Sequence, residues 1–428
     1  MRRFAWGVLA LLAACGNGPG APSSGGAGGG VFRLERFCSV DELPASLRHT
    51  YVLIDEHALA KADTPAEFAE RNAGVRDIVV AFTDPAAATL SGAMDYRERL
   101  SLMLLPADGS AARPLFEGCL PALSPEEISG AQTAGSALSD FFTGGVQQQL
   151  HNEGEQFRSR AISALVLAAR NAPGPATPET LRLTDTKLVQ SLRASGRMIS
   201  GEHGLPRIVL LSNLARVDFG EDPTRETARR AGFQEGQESA LDLGRAELHL
   251  FLAEGQNSSL ARDYTQAFFL AQHANLLTWA GGALTTLPAA PVSIVRFSGE
   301  AAYPSGPESI QVRLAADRNG NLVSSWMVLR GSPNRSTPLT GPQTCEAPGQ
   351  CRVSSDDGGF AQAWSLSPGG EPEFHNDMPF GGLREWELTT RDARLTGRVF
   401  DPAVEQIGPI PGNDAIALTA RVSDEATF

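Results

Sequence analysis

Several shortages narrow what this chain can do before any motif is considered. Aromatic residues make up 7% and charged residues 20% of its 428 positions, and 36 basic side chains face 49 acidic ones. The resulting net charge of −13 argues against a basic nucleic-acid binder. No long apolar run follows the N-terminus, which argues against a multi-pass membrane protein. Five cysteines are too few, in a chain this long, for a disulfide-held mini-protein. No CxxC pair or neighbouring histidine cluster exists to complete a tetrahedral metal site. Gly-rich phosphate loop, zinc-protease helix motif and nucleotide fingerprint are all missing. What is present is a hydrophobic content of 42%, enough for two or three domains with cores of their own.

The one apolar run has a specific form. Arg2 and Arg3, the stretch from Ala5 to Leu12 and the small residues Ala13 and Ala14 read as an export signal over residues 1–14, too short to span a bilayer. Leu12-Ala13-Ala14-Cys15 resembles the bacterial lipobox. The resemblance implies cleavage before Cys15 and attachment of diacylglycerol and a further acyl chain, such as palmitate, to that residue. Several chains on one residue make a stable anchor, so the body would hang from the bilayer without crossing it. Gly16 stands where inner-membrane retention would call for Asp, which points to the outer membrane, facing periplasm or surface. Residues 15–30 beyond Cys15 are almost all Gly, Ser, Pro and Ala, a flexible tether. Without Arg2 and Arg3 the processed chain carries 34 basic and 49 acidic side chains, or −15, and is repelled by anionic headgroups.

With Cys15 acylated, four cysteines remain, and an even number in an oxidising envelope suggests two disulfides. Three pairings can be drawn. Cys345 and Cys351 flank the turn-forming stretch Glu346-Ala347-Pro348-Gly349-Gln350, so local closure costs least and leaves Cys38 with Cys119.

Over residues 31–288, short apolar runs alternate with amphipathic helices, the pattern of an α/β layer fold with a mainly parallel sheet. Tyr51-Val52-Leu53-Ile54 is a buried strand ending at Asp55, and Thr64-Pro65-Ala66-Glu67 is a capping box that opens a helix. Leu100 to Leu105, with Leu115 and Phe116, flank Pro106-Ala107-Asp108-Gly109 as a hairpin. Phe157, Ala161, Ile162, Leu165, Val166 and Ala169 mark one helix face. Strands Arg207 to Leu211 and Glu247 to Leu252 follow; then comes a helix from Ser259 carrying Tyr264, Phe268, Ala271 and Leu276, stopped by Gly281-Gly282. From residue 289 to 428 helical periodicity disappears. Seven short alternating segments suggest an all-β, sandwich-like domain, with Trp326, Trp364 and Trp386 in its core.

Element order and the polar residues at strand ends make residues 48–288 resemble the von Willebrand factor A-type (vWA-like) domain, a Rossmann-like layered fold. In that family Asp-x-Ser-x-Ser on the first strand, a threonine and a further aspartate hold Mg²⁺, whose open position accepts a partner's carboxylate. Here the first motif is Asp55-Glu56-His57-Ala58-Leu59, Ser159 in the loop before the amphipathic helix stands in for the threonine, and Ser212-Asn213 closes the later strand. Leu59 offers no ligand and His57 suits softer metals than Mg²⁺, so the expectation is a degenerate metal site, with Asp55 its one remaining candidate and no cofactor. Asp55 and His57 also fall short of the three protein ligands usual for catalytic Zn²⁺.

Other polar features have plain structural readings. Ser212 lacks a Gly-x-Ser-x-Gly elbow, His249 lies inside a strand, His203 is in a loop, and Asp317-Arg318-Asn319-Gly320-Asn321 reads as a hairpin turn, not a Ca²⁺ loop. The leading expectation is therefore a non-enzymatic interaction module, with Asp55, His57, Ser159, Ser212 and Asn213 lining the crevice that receives an envelope or surface protein. The competing expectations are an envelope hydrolase with His57 as base and Asp55 or Glu56 orienting it, and a small-ligand or polysaccharide binder, including one using the C-terminal β region.

Overall fold

The structure, a computed structural model, describes residues 32–34, 38, 46–125, 145–174, 182–196, 198–199, 204–213, 224–239, 241–252, 259–281, 286–303, 306–330, 335–347, 350–354, 364–366, 372–374, 385–400 and 416–423. The export signal, Cys15, the tether and His203 lie outside them. Residues 31–428 form one compact unit.

Seven strands make one sheet: β1 (Phe32–Leu34), β2 (Arg48–Asp55), β3 (Arg99–Leu105), β4 (Arg113–Cys119), β5 (Leu205–Leu211), β6 (Ala246–Phe251) and β7 (Ala274–Trp279). Their order is β1-β4-β3-β2-β5-β6-β7, and only the β3–β4 hairpin is antiparallel. Every residue of β2, β5 and β6 is buried, as expected of central parallel strands covered on both faces.

The period of two sorts their side chains. Val52 and Ile54 pack with Phe68, Ile78 and Phe157 on one face, whereas Tyr51 and Leu53 pack with Val189, Tyr264 and Phe268 on the other. The first face is covered by α1 (Pro65–Arg71), α2 (Ala73–Thr83) and α4 (Gly145–Arg170), with α3 (Pro85–Leu90) following α2; the second by α5 (Lys187–Ser195), α6 (Arg225–Glu238) and α7 (Ser259–Ala271). Thr64 caps α1 by accepting from Glu67 N–H at 3.2 Å, and the Glu67 carboxylate accepts from Asp63 N–H at 2.8 Å, one residue earlier than a standard capping box. Gly232 and Gly236 bring α6 against α7, since a Cβ at either position would stand 2.1 or 2.3 Å from the carbonyl oxygens of Tyr264 and Phe268.

The helix expected to run to Gly281 stops at Ala271. His273 takes φ 57°, the chain turns, and Leu276 belongs to β7. An apolar residue four or five positions on fits helix and strand alike, which is why spacing misplaced it.

The C-terminal region is all-β, but it is a barrel rather than a sandwich. Its strands are β8 (Ser293–Tyr303), β9 (Gly306–Ala316), β10 (Asn321–Arg330), β11 (Arg335–Ala347), β12 (Gln350–Ser354), β15 (Glu385–Arg391), β16 (Arg394–Phe400) and β17 (Ile416–Val422); β13 (Trp364–Leu366) and β14 (Pro372–Phe374) form a separate ribbon. Each barrel strand pairs antiparallel with its neighbours in chain order, and β17 closes on β8. Phe297, Ile310, Val312, Met327, Val353, Leu388, Leu395 and Leu418 fill the interior, so it is a packed core. Alternate positions such as Glu300, Arg352, Thr389, Thr396 and Thr419 are exposed, so these outward rows are not an apolar band. Trp326 is 1% exposed and packs on Phe233, Ala267 and Leu270 of α6 and α7, joining barrel to layers. The Asp317 turn is the hairpin anticipated: its Oδ1 accepts from Asn319 and Asn321 N–H at 2.8 and 2.9 Å. No helix among the described residues is long and apolar enough to cross a membrane.

Both expected disulfides are present, Cys38–Cys119 beside β4 and Cys345–Cys351 across β11 and β12, with Cα separations of 5.1 and 4.0 Å.

Candidate functional site

The strand order reverses between β2 and β5, because the chain leaves β2 toward β3 on one side and returns to β5 on the other. In such sheets the ligand crevice lies at the carboxyl ends of those two strands. Asp55 ends β2, and Ser212 and Asn213 follow β5, so the topology brings these three to that point.

Asp55 is 6% exposed and fully engaged. Its Oδ2 accepts from Ser212 Oγ at 2.7 Å, and its Oδ1 caps a single 3₁₀ turn, Glu56–Ala58, by accepting from His57 N–H at 3.0 Å. Burial pushes its carboxyl above the usual range, and the hydrogen bonds from Ser212 and His57 offset part of that rise. Glu56 is tied down too: it accepts from Ala107 N–H at 2.9 Å in the β3–β4 turn and lies 3.7 Å from Arg113. His57 follows on the same turn, half-buried, with no hydrogen-bond partner at Nδ1 among the described residues. Asp55 therefore grips the backbone of His57 and leaves the ring unoriented, unlike the carboxylate of a histidine base.

Ser159 does not join this group in the way expected. It lies mid-way along α4, exposed, rather than in a loop before it, because the helix begins fourteen residues earlier, at Gly145. Leu59 is buried in the first core. The donor set thus does not fit Mg²⁺: Asp55 is a single buried carboxylate, one family position is apolar, and the stand-in hydroxyl belongs to an exposed helix face. Among the described residues no three of His, Cys, Asp and Glu stand together as a metal cluster.

A second polar centre, which the sequence reading did not single out, occupies the amino ends of the same strands. Arg48 donates to both oxygens of Glu98, from Nε at 2.9 Å and Nη2 at 2.8 Å, and both side chains are 0% exposed. Thr50 also donates to Glu98, and Arg207 lies beside the pair, 3.7 Å from Glu247. Burial alone would raise the Glu98 carboxyl, but Arg48 and Arg207 outweigh it and hold it below the usual range. Burial and the neighbouring Arg48 pull Arg207 down to about 9, which leaves it charged at neutral pH.

His249 is buried next to them, bonded through Nδ1 to Thr278 Oγ1 at 2.9 Å, and burial with the two arginine charges holds it neutral. Arg48 and Arg207 both donate to the Pro288 carbonyl, Ser324 N–H donates to Glu247 at 2.8 Å, and Arg313 donates to the Arg245 carbonyl at 3.1 Å. These bonds fasten the barrel to the amino end of the sheet. A cavity of about 240 Å³ lies in the joint, lined by Glu247, Asn275, Asp317 and Ser324. One signal was available in sequence: charged residues inside otherwise apolar strand runs, Arg207 and Glu247, must be paired if buried.

No protein-family model matches the chain, and no curated protein matches it in sequence. Among solved structures it is similar to a von Willebrand factor type A protein from Catenulispora acidiphila, at 11% identity and TM-score 0.24 over 88% of this chain and 66% of that one. It is also similar to the human COPII-coat protein Sec24c, at 10% identity and TM-score 0.27 over 90% of this chain and 45% of that one. The chain spans less than two thirds of the length of either.

Proposed function

We propose that this chain is a lipid-anchored envelope protein whose vWA-like layered body serves as a protein-binding module. In this reading Cys15 carries the acyl anchor, residues 15–30 are the tether, residues 31–288 present the crevice at the β2–β5 switch point, and residues 289–428 form a β domain behind it. The observation that carries the reading is the state of Asp55. The acid that a vWA-type Mg²⁺ site would need accepts from Ser212 at one oxygen and from the His57 backbone at the other, while Leu59 lies in the core and Ser159 on an exposed helix face instead of supplying further ligands. With Glu56 also committed, the strand end is braced rather than left reactive, which favours a contact surface over hydrolysis.

The anchor and the crevice are tested separately. Mass spectrometry of the N-terminal peptide is expected to find Cys15 acylated, and Cys15→Ala to release the protein from the membrane fraction; an unmodified Cys15 rejects the anchor. A photo-crosslinking residue at Asn213, in the full chain in its own envelope, is expected to capture a protein that the same probe at Ser159 does not. Identical capture from both positions, or turnover by the purified protein, rejects the crevice.

A further inference from the structure

Away from the crevice, the outer face of the barrel gathers arginines in an otherwise acidic molecule. The β15–β16 turn is Asp392-Ala393, with φ values of 49° and 62°, a two-residue turn that usually calls for glycine. It sets Arg391 directly opposite Arg394, and Arg394 is in turn directly opposite Arg421 on β17. All three are exposed, on one face, with guanidiniums spread across strands about 4.8 Å apart. Arg391 lies 3.6 Å from Asp392, but Arg394 and Arg421 have no ion-pair partner among the described residues. Like charges placed directly opposite each other destabilise a sheet, so the fold alone gives no reason for this row.

Behind it runs a second row in register, Thr389, Thr396 and Thr419, ending at Glu300 on β8. A third holds Arg398, which shares Glu387 with Arg352 at 3.2 and 3.4 Å. Two depressions of about 860 and 410 Å³ open on this surface and share Thr396. Among the described residues no aromatic side chain lines either one.

We propose that this face binds an anionic glycan carrying sulfate or phosphate esters. Guanidinium forks match such oxyanions two bonds at a time, and threonine hydroxyls both donate to and accept from sugar hydroxyls. An acidic peptide is the poorer fit, because a peptide gains much of its affinity on a sheet by extending a free edge, and this barrel is closed. The site is independent of the crevice reading.

The test uses the full chain in detergent, titrated with dextran sulfate, uncharged dextran and poly-L-glutamate. Dextran sulfate is expected to bind, more weakly as salt is raised, with uncharged dextran and poly-L-glutamate at least tenfold weaker. The double variant Arg394→Gln/Arg421→Gln is expected to lose about a hundredfold, roughly tenfold per guanidinium, while Arg170→Gln/Arg262→Gln on α4 and α7 loses nothing. Undiminished binding by the double variant, equal binding by poly-L-glutamate, or no binding of dextran sulfate overturns the proposal. The melting temperature of the double variant should stay level or rise, since repulsion is relieved; a marked fall means that the row serves the barrel and overturns it as well.

Discussion

Toward the amino ends of β2, β3, β5 and β6 the sheet buries Arg48, Glu98, Arg207, Glu247 and His249 and uses them to hold the barrel, whereas at the carboxyl ends of β2 and β5 Asp55 is held by a serine hydroxyl and a backbone N–H. The two ends of one sheet thus place buried acids in opposite electrostatic settings. Glu98 sits between cations that more than offset its burial, so its folded pKa is depressed. Around Asp55 the hydrogen bonds from Ser212 and the His57 N–H, with the charge of the His57 ring a smaller help, fall short of offsetting burial, so its folded pKa is raised. Charge serves the joint at one end, and hydrogen bonding braces a surface at the other.

The largest expected effect follows from breaking the amino-end pair. Glu98→Gln leaves Arg48 and Arg207 buried with less compensation and should cost about 3–5 kcal/mol, read as a lower urea midpoint. The pH dependence has a definite sign. A depressed carboxylate contributes stability that is present above its unfolded value, near pH 4.3, and lost as pH falls through the folded one. His249, also depressed, destabilises from about pH 6.5 downward, because only the unfolded chain can readily take up that proton. Melting temperature should therefore begin to fall below about pH 6.5 and fall faster near pH 4. A flat profile from pH 7 to 4 would contradict this account of the amino end.

The disulfides extend the comparison from the sheet to the barrel. Cys38–Cys119 closes 81 residues and Cys345–Cys351 only 6, so chain-entropy arguments assign them about 4 and about 2 kcal/mol. Cys38→Ser/Cys119→Ser should lower stability by roughly twice as much as Cys345→Ser/Cys351→Ser. In the barrel itself, a Cβ at Gly299 would stand 2.0 Å from the Thr419 carbonyl oxygen, so Gly299→Ala should cost about 1–3 kcal/mol by forcing β8 from β17. A neutral Gly299→Ala would mean that the β8–β17 closure is looser than described.

Much of the layered half was legible because its strands are continuous apolar runs and its helices carry one-sided stripes; β2, β5 and the stripe from Phe157 to Ala169 follow directly from period. The barrel's closure was not. Alternation looks the same in a sandwich and a barrel, and β11 contains Pro338 and Pro342, which remove backbone donors and disguise a strand. Of the site, the sequence located Asp55, Ser212 and Asn213 at strand ends but not that Asp55 and Ser212 bond to each other. Ser159 was misplaced because the polar first turns of α4, Gln147 to Asn152, carry no stripe to announce the helix. The amino-end charges escaped because a single Arg or Glu at a strand's start reads as a surface residue until its partner, 50 positions away for Arg48 and Glu98, is known.

The smallest effect is the sharpest test of the contrast. Asp55→Asn keeps an acceptor for the His57 N–H and a donor amide that Ser212 Oγ can accept, so both braces survive without the charge. A raised folded pKa means that Asp55 contributes stability fully present below its unfolded value, near pH 3.9, and lost as pH rises through the folded one. The variant should match the parent in acid and equal or exceed it by up to about 1 kcal/mol at neutral pH, the reverse of the trend for Glu98→Gln. Denaturation curves at pH 4 and pH 7.5 measure this directly. If Asp55→Asn instead lost 2 kcal/mol or more at pH 7.5, the carboxylate would be stabilised there in its charged form, and a cation at the β2–β5 crevice would have to supply the compensation.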